Sequence, residues 1–334
     1  MSRWDSKGSY VSGLDLLRLI AAACVVAIHS FMEYQNFTDA YTVRILTRWA
    51  VPFFFMVTGY FLKEESKAFI RFWIRILGMY VFWTIVYALL CHMDIWNVRD
   101  FLSALRSGII MPFWYFPSLL MCVMFVWILI KTVRDPRIII GICSILYVMA
   151  LMGHTFANLG VFDFWNNGPI MRFHHRVIGE VSTRDGLFWG SLFVAIGHAL
   201  RVRESEKTRI GSDDAKKKTI IASIVFAVLY VLEICLIVYY DTGGKDVTLF
   251  SIPVTLMLFG YARSKQIPKV IGEYMRHTAN GIFLVHYFFL ELFMGMKYAS
   301  IRLFILTFAA SITTSFVGTM AVKRLKQHRN TTLP

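Results

Sequence analysis

The feature that most limits this chain is a succession of apolar runs, nearly uninterrupted and up to about 20 residues long, separated by short clusters of charge. About 20 helical residues cover the ~30 Å of hydrocarbon in a bilayer. Every backbone polar group inside that layer must find its partner within the protein, which leaves helices or closed barrels. Barrel strands alternate apolar and polar residues over about 9–11 positions. These runs do not alternate and are too long. The expected fold is therefore all-α: a polytopic transmembrane helix bundle of about ten helices in a single domain over residues 1–334. Spans are expected near 13–33, 46–62, 69–90, 113–131, 138–152, 186–200, 219–240, 247–262, 278–295 and 300–321.

The formal charge of +14 would suggest a nucleic-acid partner in a soluble chain. Here its placement argues otherwise. Numbering the connections from a cytoplasmic N-terminus, with the charges near span ends counted to the adjoining side, gives 24 Lys and Arg to the cytoplasmic segments and 10 to the outer ones, with Arg18 inside the first span. That asymmetry follows the positive-inside rule and puts both termini in the cytoplasm. The partner it implies is the lipid bilayer of the cell's inner membrane, with no nucleic acid. Cys24, Cys91, Cys122, Cys143 and Cys235 form no CxxC pair and read as small apolar residues. With no HExxH motif or ligand cluster, no metal is expected. The first run lacks a small-residue cleavage site and reads as a retained helix.

Three connections are distinctive. Within 91–112, VRDFLSALRSG has an amphipathic pattern suited to an interface. Residues 153–185 form the longest outer connection, with His154, Asp163, Arg172, His174, His175, Glu180, Arg184 and Asp185. Residues 201–218 read as a mobile, solvated basic loop.

The first apolar run, GLDLLRLIAAACVVAIHS, carries Asp15, Arg18 and His29. Arg18 and His29 are eleven positions apart, about 20° beyond three full helical turns, so they share a stripe some ~16 Å long. Asp15, one turn before Arg18, is placed to pair with it. Each residue alone reads equally as an interface group, with Arg18 snorkelling to the membrane surface. Together on one stripe they point to a polar track entering the membrane from the cytoplasmic face, because charge within a span normally faces a cavity or a partner.

At these residues the chain resembles the acyltransferase-3 family of bacterial membrane proteins. The Arg18-x10-His29 spacing is similar to its first-helix signature. VPFFFMVTGYFL, from Val51, resembles the family's Pro-Phe-Phe…Gly segment, and RFWIRILGMY, with Arg71 and Arg75, its basic third-helix opening. FWYFPSLL, with Trp114 and Tyr115, resembles its Trp-aromatic segment. TRDGLFWGSLFVAIG and HTANGIFLVHYFF, the latter containing His286, are similar to later blocks. WYFPSLL is closest in feel to the membrane domain of vancomycin-resistance serine racemases. Two features depart from the family pattern: Pro117-Ser118-Leu119-Leu120 stands where many sugar-acylating members carry a glutamate pair, and Arg71 and Arg75 are spaced more widely than usual.

The resemblance implies a membrane acyltransferase that moves an acyl group from cytoplasmic acyl-coenzyme A, the donor substrate, to a hydroxyl of an outer-surface small molecule or glycan. Acyl transfer needs a base, and histidine titrates near neutrality. His29 is the expected base, assisted by Arg18. Arg71 and Arg75 are the expected donor-phosphate ligands, although they serve equally as positive-inside anchors. Asp15, Trp114, Tyr115, His286 and Glu233 are the expected acceptor-side residues; His286 reads equally as a core histidine, and a basic neighbour is the expected partner of Glu233. The His174…Glu180 stretch resembles the His-x4-Asp box of soluble glycerolipid acyltransferases and is read as coincidence. The alternative is a transporter of serine or a similar small amino acid, with a racemase domain, fused or separate, or a second copy of the chain as partner.

Overall fold

The computed structural model describes residues 11–31, 43–91, 97–160, 168–178, 183–206, 213–296 and 300–332, and these are helical with no strand among them. In chain order the helices are α1 (Gly13–Ser30), α2 (Ala50–Tyr60), α3 (Ser66–Leu90), α4 (Val98–Ser107), α5 (Tyr115–Thr132) and α6 (Pro136–Ala150). They continue with α7 (Pro169–Ile178), α8 (Leu187–Glu206), α9 (Asp213–Tyr239), α10 (Ser251–Ser264), α11 (Lys269–Met294) and α12 (Ser300–Thr332). A 3-10 turn at Met111–Trp114 leads into α5, and a π-helical turn at Leu151–Thr155 follows α6.

Each expected span has a helical counterpart. Six stretches among the described residues are long and apolar enough to cross a membrane: Gly13–Ser30, Ser66–Leu90, Met111–Thr132, Pro136–Thr155, Ile221–Tyr239 and Ser300–Leu325. Their outer surfaces match that role. On α9, Ile221, Ile224, Val228, Leu232 and Leu236 are all exposed, and α12 exposes Ile301, Ile305, Phe316 and Val317. Apolar surface on this scale would drive association in water, whereas hydrocarbon solvates it. The protein is a multi-pass membrane protein.

One expectation needs correction. The 201–218 connection is largely helix: α8 runs to Glu206 and α9 starts at Asp213. Lys, Glu and Arg are good helix formers, so these helices outrun the apolar windows that identify them. The amphipathic 98–107 segment is a helix as its pattern implies. Asn97 caps it by accepting the Asp100 N–H, and the Tyr80 hydroxyl holds it by donating to the Leu105 carbonyl at 2.8 Å. In the long 153–185 connection, α7 carries His174 and His175, while Asp163 and Glu180 lie outside the described residues.

The chain divides into two compact units. One comprises Met1–Ala50 with Thr255–Pro334, and the other Val51–Val254. In the first, α1, α11 and α12 pack against one another. The α11–α12 hairpin is antiparallel with a constant register: Gly281 packs on Ser315, and Lys323 lies 3.9 Å from Glu273 eight residues further down. In the second, α8 packs on α5 and α6, and α3 on α5. The backbones of α2 and α8 nearly touch where Gly59 meets Val194 and Gly197 meets Met56, an approach that only glycine permits.

Candidate functional site

In the unit that holds α1, the Asp15 carboxylate is buried at 1% exposure and accepts a hydrogen bond from the Arg18 guanidinium. A second guanidinium, Arg276 of α11, stands 3.9 Å from the other Asp15 oxygen. The carboxylate thus lies against two guanidinium groups at this end of α1. It also fixes the direction of Arg18, as a planar donor fork requires for holding an anion. The expected Asp15–Arg18 pair is therefore present. Arg276 was not anticipated, since nothing in the sequence connects positions 15 and 276.

Further along the stripe His29 is buried, with its ring stacked on His286 of α11 at 5.5 Å between centroids and 30° between planes. Tyr287 meets His29 edge-on at 6.5 Å. The first-helix track and the histidine of the HTANGIFLVHYFF block thus converge in one unit. His286 is fully buried, with Nδ1 at 3.0 Å from the Ile282 carbonyl and 2.9 Å from the Phe283 carbonyl.

The second unit holds the other predicted residues. Arg71 and Arg75 are exposed one turn apart near the start of α3. The Tyr115 ring packs against Phe55 at 5.0 Å. Trp114 stacks on Trp189 at 5.9 Å, and the Arg184 guanidinium lies 4.3 Å from the Trp114 ring centre. Arg184 also donates to Asp246 at 2.6 Å and Asp185 at 3.0 Å, while His154 lies 3.6 Å from Asp246. Burial opposes charge on Arg184, but Asp246 and Asp185 outweigh it and hold the guanidinium above its ordinary range. Burial pushes the Asp185 carboxyl up against the pull of Arg184. This cluster ties the Thr183–Gly186 turn to the turn after α9. The sequence singles out His154, Arg184 and Asp185 separately but not their meeting with Asp246, because Arg184 and Asp246 are 62 positions apart.

Glu233 corrects an expectation. Its partner is not a basic side chain: its carboxylate accepts the backbone N–H groups of Leu249 at 2.5 Å and Phe250 at 2.8 Å. Those amides open the turn into α10, whose first N–H groups have no partner within the helix. The carboxylate caps that end and complements its positive dipole. At one end of α2 and α8, Tyr60 bonds Glu204 and His198 lies 3.1 Å from Glu64, contacts that local patterning does not reveal. Among the described residues no cluster of His, Cys, Asp or Glu is arranged to hold a metal ion.

With this geometry in hand, comparison with known proteins supplies the family. A family model described as an acyltransferase domain, acyltransferase type 3, matches residues 11–324. The chain belongs to that family. The resemblance read from its motifs is thereby borne out over nearly its whole length. The chain is similar to an amino-acid racemase of Enterococcus faecalis, at 30% identity over 58% of this chain and 28% of that protein. It is also similar to a serine/alanine racemase of Enterococcus gallinarum, at 28% identity over 58% of this chain and 30% of that protein. The chain thus spans less than a third of the length of these relatives. No solved structure matches it.

Proposed function

We propose that the protein is an inner-membrane acyltransferase of about ten spans, with both termini cytoplasmic, that transfers an acyl group from cytoplasmic acyl-coenzyme A to a hydroxyl of an outer-surface acceptor. The observation that carries this reading is the α1 stripe: Arg18 anchored by Asp15, and His29 buried further along it, in a chain of the acyltransferase-domain family. His29 belongs to the base that takes the acceptor proton. Arg18, held in direction by Asp15, assists electrostatically where negative charge develops. Arg71 and Arg75, exposed on one face of α3, are suited to the donor's phosphates. Trp114, Tyr115 and His286 are the acceptor-side residues.

The test is acyl-coenzyme A turnover in membranes carrying wild-type protein or variants. His29→Ala should express and melt near wild type while turnover falls by the ~10²–10⁴-fold of a lost general base. Arg18→Lys should also be damaging, because lysine keeps the charge and loses the fork. Full activity of His29→Ala sinks the site. A second reading, movement of serine or a similar amino acid, rests on the names of the racemase relatives. Serine uptake without acyl-coenzyme A turnover would establish it instead.

A further inference from the structure

The environment of His286 fixes which of its nitrogens is a base. Both groups that Nδ1 meets, the Ile282 and Phe283 carbonyls, are acceptors. Nδ1 must therefore carry the hydrogen, and in the neutral ring Nε2 is left with the lone pair. The ring is fully buried, and Nε2 meets no hydrogen-bond partner among the described residues. Buried polar atoms are rarely left so, and each such case calls for an explanation.

The surroundings of His286 repeat the pattern. Glu273 with Lys323 and Gly281 with Ser315 set one register for the α11–α12 hairpin, and five residues on from Gly281 that register puts His286 level with Ala310 and Ser311. On α12, Thr307, Ser311 and Ser315 lie four residues apart, all buried, with hydroxyls that meet no partner among the described residues. Thr319, next along the same row, bonds back to the Ser315 carbonyl at 2.8 Å. The three inner hydroxyls leave that local option unused. A basic nitrogen and a row of hydroxyls thus lie buried in the unit that also holds His29.

We propose that the base of the reaction is a pair of histidines, in which Nε2 of His286 receives the acceptor's hydroxyl proton and the stacked ring of His29 shares the resulting charge. The inference rests on the acyl-transfer reading. The acceptor O–H bond breaks as its proton passes to Nε2. The oxygen forms a bond to the thioester carbonyl carbon, and the carbon–sulfur bond breaks. The departing coenzyme A thiolate takes the proton back from Nε2, so the imidazole ends as it began. The hydrogen bonds at Nδ1 hold the ring in the tautomer this requires.

His286→Asn separates this role from a structural one, because the asparagine amide can still donate to the Ile282 and Phe283 carbonyls while Nε2 is removed. The expected result is a wild-type melting temperature with acyl-coenzyme A turnover reduced about 100-fold or more. Turnover within about threefold of wild type overturns the proposal. Nitrogen-15 spectra of histidine-labelled protein in detergent give a readout independent of activity. The signals lost in His286→Asn should come from a ring protonated at Nδ1 and bare at Nε2, and a ring protonated at Nε2 overturns the proposal. Wild-type membranes that turn over no acyl-coenzyme A overturn both this proposal and the acyl-transfer reading, an outcome distinct from an active His286→Asn.

Discussion

Replacing Glu233 tests whether an ionisable group inside a membrane helix is there for chemistry or for architecture. Its two oxygens take two backbone N–H groups at the entry to α10. Hydrogen bonds to a charged acceptor contribute about 1.5–3 kcal/mol each. The Leu249 bond is exposed, so solvent recovers part of its loss, whereas the Phe250 amide is partly buried and has less recourse. Glu233→Ala should therefore cost about 2–4 kcal/mol. Glu233→Gln keeps one acceptor oxygen and should lose about half of that. At ~2–4 °C per kcal/mol for large domains, the alanine variant should melt roughly 4–16 °C lower, read by tryptophan fluorescence in detergent. An alanine variant that melts with wild type refutes the capping argument. One that melts normally and loses turnover places the carboxylate on the substrate.

Two other sites give sharp expectations. Gly197→Ala drives a methyl group into the Met56 carbonyl and should lower the melting temperature by the equivalent of ~1–3 kcal/mol. Gly78→Ala, where nothing lies within 4 Å, should be neutral or stabilising by up to ~1 kcal/mol, and equal effects at the two sites would refute the close-crossing argument. Arg184→Met removes the guanidinium from Asp185 and Asp246; because the arginine side chain is 25% exposed, the loss should fall near the lower end of the ~3–5 kcal/mol of a broken buried pair, measured by the same melting assay.

The helices were legible because hydrocarbon imposes one rule on every segment that crosses it, and the rule is written in consecutive residues. The stripe of Asp15, Arg18 and His29 was legible for a similar reason, since helical periodicity alone decides which side chains share a face. The meeting of His29 with His286, and of Arg184 with Asp246, depends on which helices pack together. Segment-by-segment patterning carries no record of that. The turn at Leu151–Thr155 was equally hidden, because residues 151–152 read as the tail of an apolar run and 153–155 as the start of the outer connection, while its bonds are tertiary. The Thr155 and Thr242 hydroxyls stitch it to the turn beyond α9.

The unit that holds α1 is assembled from segments distant in the chain, and that has a consequence for its biogenesis. Roughly 225 residues separate Ser30 from Thr255, which at ~5–20 residues per second takes on the order of 10–45 s to synthesise. Throughout that interval α1 must reside in or beside the bilayer with Asp15, Arg18 and His29 on one face and neither α11 nor α12 yet made. The Asp15–Arg18 bond lies within one helical turn, so it can form at once and mask two charges before any other helix arrives. The stacking of His29 on His286 forms only once α11 is made. A delay of this kind favours retention of α1 at the insertion machinery until the last hairpin emerges.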